Sequence, residues 1–321
     1  MVSSRIIEGN PEASKRKFFT FFTLFSIIGI ISGISSATLI DAVNNENAAI
    51  NNIESNLQVE PNQGEFDRFG IYEINPTIEK GREFFSHWSE GGFRILHVHE
   101  RDTIDSELIL RGSNSKLTID GSGIATLEGD NPNLIANPRI YIYDEQKQKK
   151  WDNVEITFYQ KRISEQTTYS YSGLNAGTRS EHQDVSKENV LAGETYYGRF
   201  TNDGRIHFVK EIEHGKYVNS PENLFQWESS KGKIPIDVWI GFKFIVRTSE
   251  ASGNVKLELY MDTTDGFDGG SWEKVGEFID DGEWGGDKIF TEPATSVFLR
   301  NDGLGIAQYK NFSIREISSL P

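Results

Sequence analysis

The chain predicts an all-β fold, an antiparallel sandwich set behind an N-terminal hydrophobic helix. Three observations carry this. After residue 70, apolar and polar residues alternate with a period of two in several runs, the signature of strands with one buried and one wet face. Turns rich in Gly, Asn and Asp separate those runs, as at Asp203-Gly204, Ser252-Gly253-Asn254, Asp265-Gly266 and Asn301-Asp302-Gly303. No helical stripe of twelve residues follows position 50, so many short strands point to a sandwich.

Size and charge narrow the function classes. The chain has 321 residues and no cysteine, which excludes disulfides, thiolate metal sites and cysteine nucleophiles. Beyond the first forty residues, enough chain remains to bury a large core without disulfides. Net charge is −15, yet Arg5, Lys15, Arg16 and Lys17 outnumber Glu8 and Glu12 in residues 1–40. The acidity therefore belongs to the rest, and such a surface argues against nucleic acid as a partner. It also opposes a polyanionic ligand unless a local basic patch overrides the overall field.

Residues 1–40 read as an export element. Residues 18–34, FFTFFTLFSIIGIISGI, carry no charge, and the uncharged run continues through Ile40. Lys15-Arg16-Lys17 precedes it directly, and Asp41 is the first charge after it. Positive charge stays on the cytoplasmic side, which sends the bulk of the chain to the cell surface or the extracellular space. Two readings stay open. Ser35-Ser36-Ala37 offers the small residues a signal peptidase needs, with cleavage after Ala37. Uncleaved, residues 18–40 are long enough to span the bilayer and anchor the protein in the membrane.

Residues 41–67, rich in Asn and Glu without apolar period, read as a linker, and residues 68–321 as the β-sandwich ectodomain. Within it, Thr77–Trp88 suits a short helix. Val154, Ile156 and Phe158 alternate with Glu155, Thr157 and Tyr159; Ile240, Phe242, Phe244 and Val246 alternate with Gly241, Lys243 and Arg247. Val255, Leu257, Leu259 and Met261 alternate with Lys256, Glu258 and Tyr260, and Phe312 and Ile314 with Asn311, Ser313 and Arg315.

The stretch Trp239–Gly266 has a Trp-led strand, a Gly-Asn turn and a strand ending in Tyr-x-Asp, and Tyr309–Arg315 supplies a strand near the C-terminus. These resemble the paired central strands and the closing strand of the concanavalin A-like jelly rolls, across residues 84–317. The chain is also similar to secreted archaeal proteins of this type. That superfamily includes laminin G-like binding modules, lectins, glucanases and alginate-lyase-like polysaccharide lyases, so the resemblance implies a jelly-roll fold and a carbohydrate-directed role.

Polar and aromatic candidates gather between Asn175 and His214. Asn202-Asp203-Gly204 fits a three-residue hairpin loop with Gly204 left-handed. Arg199 then faces His207, Tyr197 faces Val209, and Tyr197, Arg199 and His207 share one sheet face. A two-residue Asp-Gly turn would shift the register by one and separate Arg199 from His207. The alginate-lyase-like enzymes use an Arg, an amide, a His and a Tyr on one sheet. The resemblance implies a catalytic set drawn from Arg179, His182, Tyr197, Arg199 and His207, with Tyr196 and Asn175 as alternates. Gln183, Lys210, Glu211 and His214 would then bind ligand. In such chemistry an Arg and an amide neutralise a uronate carboxylate and stabilise the enolate formed when the C5 proton leaves. A His or Tyr takes that proton, and a Tyr protonates the leaving oxygen, completing a β-elimination. Arg179-Ser180-Glu181 matches the start of the lyases' Arg-Ser/Thr-Glu motif but is followed by His182, and Arg205-Ile206-His207 has Arg where they have Gln. The paired carboxylates of a retaining glucanase are absent; Glu211-Ile212-Glu213 is only a fragment.

Asp262, Asp265 and Asp268 alternate through a Gly-rich loop. Their oxygens would suit a structural Ca²⁺, but the loop lacks the bidentate Glu and spacing of an EF-hand, and a long hairpin with turn-favouring Asp and Gly is the preferred reading. No cofactor is required. Trp227, Trp272 and Trp284 lie near Gly-rich loops as candidates to stack on sugar rings, whereas Trp151 and Trp239 suit the core. Three functions follow: a binder of polysaccharide or cell-surface glycan, a polysaccharide lyase acting on uronates, or a non-catalytic structural or adhesive cell-surface protein.

Overall fold

Period-two alternation gives each strand two distinct faces, and these chains of alternating residues pair into two sheets. The computed structural model describes residues 65–321 apart from 130, 132, 167–170, 222–224, 227–232 and 287. The hydrophobic segment expected at 18–40, most of the 41–67 linker and Trp227 lie outside the described residues. Among the described residues no helix is long and apolar enough to cross a membrane.

In chain order the strands are β1 (Glu83–Phe85), β2 (Arg94–His97), β3 (Leu108–Arg111), β4 (Ser115–Ile119), β5 (Ala125–Gly129), β6 (Arg139–Tyr143), β7 (Val154–Glu165), β8 (Gly173–Ser180) and β9 (Thr195–Thr201). They continue as β10 (Arg205–Glu213), β11 (Lys216–Asn219), β12 (Phe225–Gln226), β13 (Trp239–Thr248), β14 (Val255–Asp262), β15 (Glu273–Asp280), β16 (Ser296–Asp302) and β17 (Leu304–Glu316). A nine-stranded sheet runs β15-β14-β13-β7-β17-β5-β4-β2, with β1 also on β17. An eight-stranded sheet runs β11-β10-β9-β8-β16-β6-β3, with β12 on β10. The strands pair antiparallel, and neighbours such as β7 with β17 or β6 with β16 are far apart in sequence. This is the expected antiparallel sandwich with jelly-roll wiring.

The apolar members of each alternating run meet between the sheets. Ile156, Phe158, Phe242, Phe244, Leu257, Leu259, Phe312 and Ile314 from the larger sheet pack with Leu174, Phe200, Phe208, Ile140 and Leu299 from the smaller. Phe200 lies 4.1 Å from Phe242, centroid to centroid. Each such side chain removed from water contributes roughly 1.5–3 kcal/mol. Gly198 lets β9 approach closely: a Cβ there would sit 2.6 Å from Leu259.

Two expectations are corrected. Thr77–Trp88 is not helical: Glu83–Phe85 pairs with β17 and Phe84 packs edge-on against Phe312 at 5.6 Å, so core burial overrides local preference. The polar alternates of β7, β13 and β17 are not wet either. Glu155, Thr157, Lys243, Ser313 and Arg315 are buried, because residues 65–77 run across them. Ile74 and Asn75 donate backbone N–H groups to Glu155, and Arg315 donates to the Asn75 carbonyl and pairs with Glu73 at 2.8 Å. Lys243 closes the network onto Glu155 at 2.9 Å. Backbone pairing already begins at Phe66, which bridges Tyr72.

Candidate functional site

The β9–β10 hairpin carries the centre of the site. Gly204 takes φ 90°, and its N–H bonds the Thr201 carbonyl. The three-residue loop sets Arg199 opposite His207 and Tyr197 opposite Val209. On the other side of β9, Asn175 of β8 faces Arg199. Arg300 of β16 faces Asn175, Arg139 of β6 faces Arg300, and Arg111 of β3 faces Arg139. The outer face of the smaller sheet thus bears a row across six strands: His207, Arg199, Asn175, Arg300, Arg139, Arg111. Five steps at the usual strand spacing make it roughly 24 Å long.

At one end of this row lies a pocket of ≈ 480 Å³ whose lining includes Arg199, Arg205, His207, Arg300 and Asp302 together with Tyr171 and Tyr217. Tyr171 and Tyr217 are 44% and 40% exposed, and the Arg300 guanidinium lies 6.0 Å from the centre of the Tyr217 ring. Arg199 Nε donates to Asn175 Oδ1 at 2.7 Å, and the Asn175 amide donates to Asp302. Arg300 Nε donates to Asp302 at 2.8 Å and its NH1 to the Tyr217 hydroxyl at 3.3 Å. Burial and the neighbouring Arg199 and Arg205 cations push the His207 imidazole down to about 4, so it is neutral at pH 7. Burial also lowers Arg199. Burial is also the largest influence on Arg300, but Asp302, Tyr197 and Tyr217 together outweigh it and hold that guanidinium well above its ordinary value.

One step along the strands, the same face is apolar. Val209, Tyr197, Phe298, Tyr141, Ile109 and Tyr143 form a second buried cluster, separate from the main core. Beyond it, at the far end of β10, His182, Glu211 and His214 bring ring nitrogens and carboxylate oxygens within 4.8 Å of one another. Among the described residues this is the one group of three side chains able to hold a metal ion. The Tyr197 hydroxyl donates to Glu211 Oε2 at 2.6 Å; burial and Glu211 raise Tyr197 well above its ordinary value.

Of the sequence candidates, Arg199 and His207 therefore meet in the pocket, and the buried Asn175 supports Arg199 from beneath it. Tyr197 shares their face but is committed to Glu211, together with His182 and His214. Arg179 goes elsewhere. A bulge between Ser180 and Gly177 on β8 and a φ of 56° turn it toward the other sheet, where it bonds the Thr291 carbonyl, Thr248 Oγ1 and Asn153 Oδ1. Gln183 bonds Thr295 and Glu181 beside that point. Lys210 differs in parity from 207, 209 and 211, so it projects inward and pairs with the buried Asp280 at 2.7 Å. Tyr196 joins it there, its hydroxyl donating to Asp280.

The acidic loop does not gather its carboxylates. Asp262 accepts hydrogen bonds from Tyr159, Thr264 N and Oγ1, Gly266 and Ser271, while Asp265 pairs with Lys310. Trp284 is buried and stacks on Tyr196, and Trp272 packs edge-on against Tyr159. Neither lines the pocket. Sequence reasoning missed Arg300, Asp302 and Tyr217. Asn301-Asp302-Gly303 reads as a turn, and only the pairing of β16 with β8 brings Arg300 beside Asn175. The basic character of positions 111, 139 and 300 is visible in the sequence, but their alignment is not.

No protein-family profile matches the chain, and no curated protein does. Solved structures with a similar course include a Bacillus subtilis protein of unknown function with a galectin-like fold, at TM-score 0.43 and 11% identity over 74% of this chain and 100% of that one. Another is the metal-free lectin I-B4 from Griffonia simplicifolia, at 0.40 and 11% over 73% and 98%. A third is the exoplasmic/lumenal domain of VIP36 in its Ca²⁺/Man-bound form, at 0.37 and 10% over 73% and 92%. At that level of likeness, function has to be argued from the site itself.

Proposed function

We propose that the outer face of the smaller sheet binds an anionic glycan, a uronate-containing polysaccharide, on a protein displayed outside the cytoplasm by its N-terminal segment. The observation that carries this is the cross-strand row of Arg199, Arg300, Arg139 and Arg111 in a chain of net charge −15. Like charges on facing strands destabilise a sheet, and an anionic polymer laid across them offsets that cost. Guanidinium groups match carboxylates in a planar, two-point fashion. The exposed rings of Tyr171 and Tyr217 favour a sugar over a bare anion, because aromatic faces pack against the apolar face of a pyranose.

Affinity electrophoresis of the purified chain in gels containing polygalacturonate, alginate or neutral glucan tests this. Retardation by a polyuronate and not by the glucan is expected, and Arg199→Ala/Arg300→Ala should lose it. Equal mobility in all gels sinks the proposal.

A second reading, cleavage by β-elimination, has its own support. Arg199 sits beside a neutral His207, Asn175 holds the Arg199 guanidinium from behind, and Tyr217 bonds Arg300, so an arginine for the carboxylate, a base type and an acid type line one pocket. Release of unsaturated uronate, read by ultraviolet absorbance, should appear with the wild type and vanish with His207→Ala. Polyuronate binding without such absorbance leaves binding alone.

A further inference from the structure

We propose that His182, Glu211 and His214 form a binding site for Zn²⁺ or a similar first-row transition metal, independent of the glycan pocket. The three donors come from three elements. His182 opens the short turn after β8, Glu211 ends the outward row of β10, and His214 lies in the tight turn to β11. Loop 190–193 packs directly on that turn: a Cβ at Gly193 would sit 2.6 Å from the His214 Cα. Closure of this loop fixes the His214 backbone, whose N–H bonds the Val190 carbonyl at 2.8 Å.

The distances suit a small cation. His182 Nε2 lies 3.7 Å from Glu211 Oε2, and His214 Nδ1 lies 3.5 Å from Glu211 Oε1. Each imidazole faces a different oxygen of the same carboxylate, and with one ligand atom taken from each residue the three lie within 4.8 Å of one another, so a small inward movement of the side chains brings them to the edge of about 3.4 Å that zinc bonds of about 2.0–2.1 Å require. The two imidazoles stand edge to face with centroids 5.0 Å apart.

The orphaned atom is the second, independent observation. His182 is 7% exposed, and its Nε2 is buried without a partner at hydrogen-bond distance, facing Glu211 Oε2 across a 3.7 Å gap. A buried, unpaired imidazole nitrogen costs about 1–3 kcal/mol unless something fills its place. Its other nitrogen, Nδ1, lies 3.3 Å from the Tyr141 hydroxyl. Metal-ligating histidines are commonly held this way, with the outer nitrogen bonded to an orienting group. Glu211 is held likewise: Tyr197 bonds Oε2 and the Gly215 N–H bonds Oε1 at 2.8 Å. A carboxylate has about four lone-pair positions, so each oxygen keeps one for a metal.

Donor chemistry selects the ion. Two imidazoles and one carboxylate suit zinc and its neighbours, whereas Ca²⁺ and Mg²⁺ prefer all-oxygen cages. Three protein ligands leave the fourth position to water, and His214, the exposed member, opens that side to solvent.

Zinc titration of the purified full-length chain in competition with a chromophoric chelator tests the site. One Zn²⁺ per chain is expected, undisturbed by excess Ca²⁺, and Co²⁺ should give visible bands of a four- or five-coordinate nitrogen–oxygen site. His214→Ala, at an exposed position that leaves the fold intact, should weaken zinc at least 100-fold. Tyr141→Phe should weaken it 10–100-fold, and Arg199→Ala/Arg300→Ala not at all. The absence of stoichiometric zinc, or undiminished binding by His214→Ala, overturns the proposal. The last variant also separates this site from the glycan reading, since its loss of polyuronate binding is expected with zinc binding retained.

Discussion

Burial beside two guanidinium groups sets the charge state of His207, and stability should report it. Its imidazole falls from 6.5 to about 4 in the fold. Between those values the unfolded chain binds a proton that the folded chain refuses, so stability is complete above pH 6.5 and is lost as pH falls toward 4. The loss is about 3 kcal/mol. Urea unfolding at pH 7, 5 and 4 should show the wild type losing that much more than His207→Gln; parallel curves would refute the buried, neutral imidazole. Lys210 makes the opposite kind of case. Its charge is buried against Asp280, so Lys210→Met strands a carboxylate and should cost about 3–5 kcal/mol. Lys210→Met/Asp280→Asn should recover part of this, and polyuronate binding by the folded fraction should not change. A loss of binding without a loss of stability would return Lys210 to the ligand. The parity that separates Lys210 from His207 and Glu211 was legible in the sequence. The identity of Asp280, seventy residues away, as its partner was not.

At the scale of elements, legibility depends on how local the cause is. The register of β9 against β10 follows from Asn202-Asp203-Gly204, a loop whose chemistry lies within three residues, and the structure has that register. Arg179 could not be placed the same way. Its bulge arises where β8 meets β16, more than a hundred residues on. The polar faces of β7, β13 and β17 read as solvated because nothing local announces that residues 65–77 cross them. The loop itself is testable. Gly204 occupies a left-handed conformation at φ 90°, so Gly204→Ala should destabilise by about 1 kcal/mol. Because the hairpin aligns Arg199 with His207, deleting Asp203 should do more. A one-residue slip moves one strand's side chains to the opposite face, and polyuronate binding should disappear from a protein that still shows a β circular-dichroism spectrum. Retained affinity would mean that the pocket does not need this register.

Over the whole molecule, the acidic net charge and the basic row act against each other, and this gives the row a length dependence. Long-range repulsion from a chain of charge −15 weakens an anion's approach at low salt. Attraction to Arg199, Arg300, Arg139 and Arg111 acts only at close range, where salt screens it as well. If the row binds polyuronate as proposed, a uronate dimer would fill the Arg199–Arg300 pocket and gain nothing from the far end. A chain spanning roughly 24 Å, five strand spacings, also meets Arg139 and Arg111. Arg111→Ala/Arg139→Ala should therefore leave the affinity for a disaccharide unchanged and weaken a long polyuronate about 10-fold or more, at about 1 kcal/mol for each exposed ion contact removed. The advantage of long chains over short ones should shrink as salt rises, because it resides in these outer contacts. Calorimetric titration with oligouronates of graded length at low and high salt would decide it. If affinity does not depend on length, the ligand ends at the pocket and the outer arginines serve the fold.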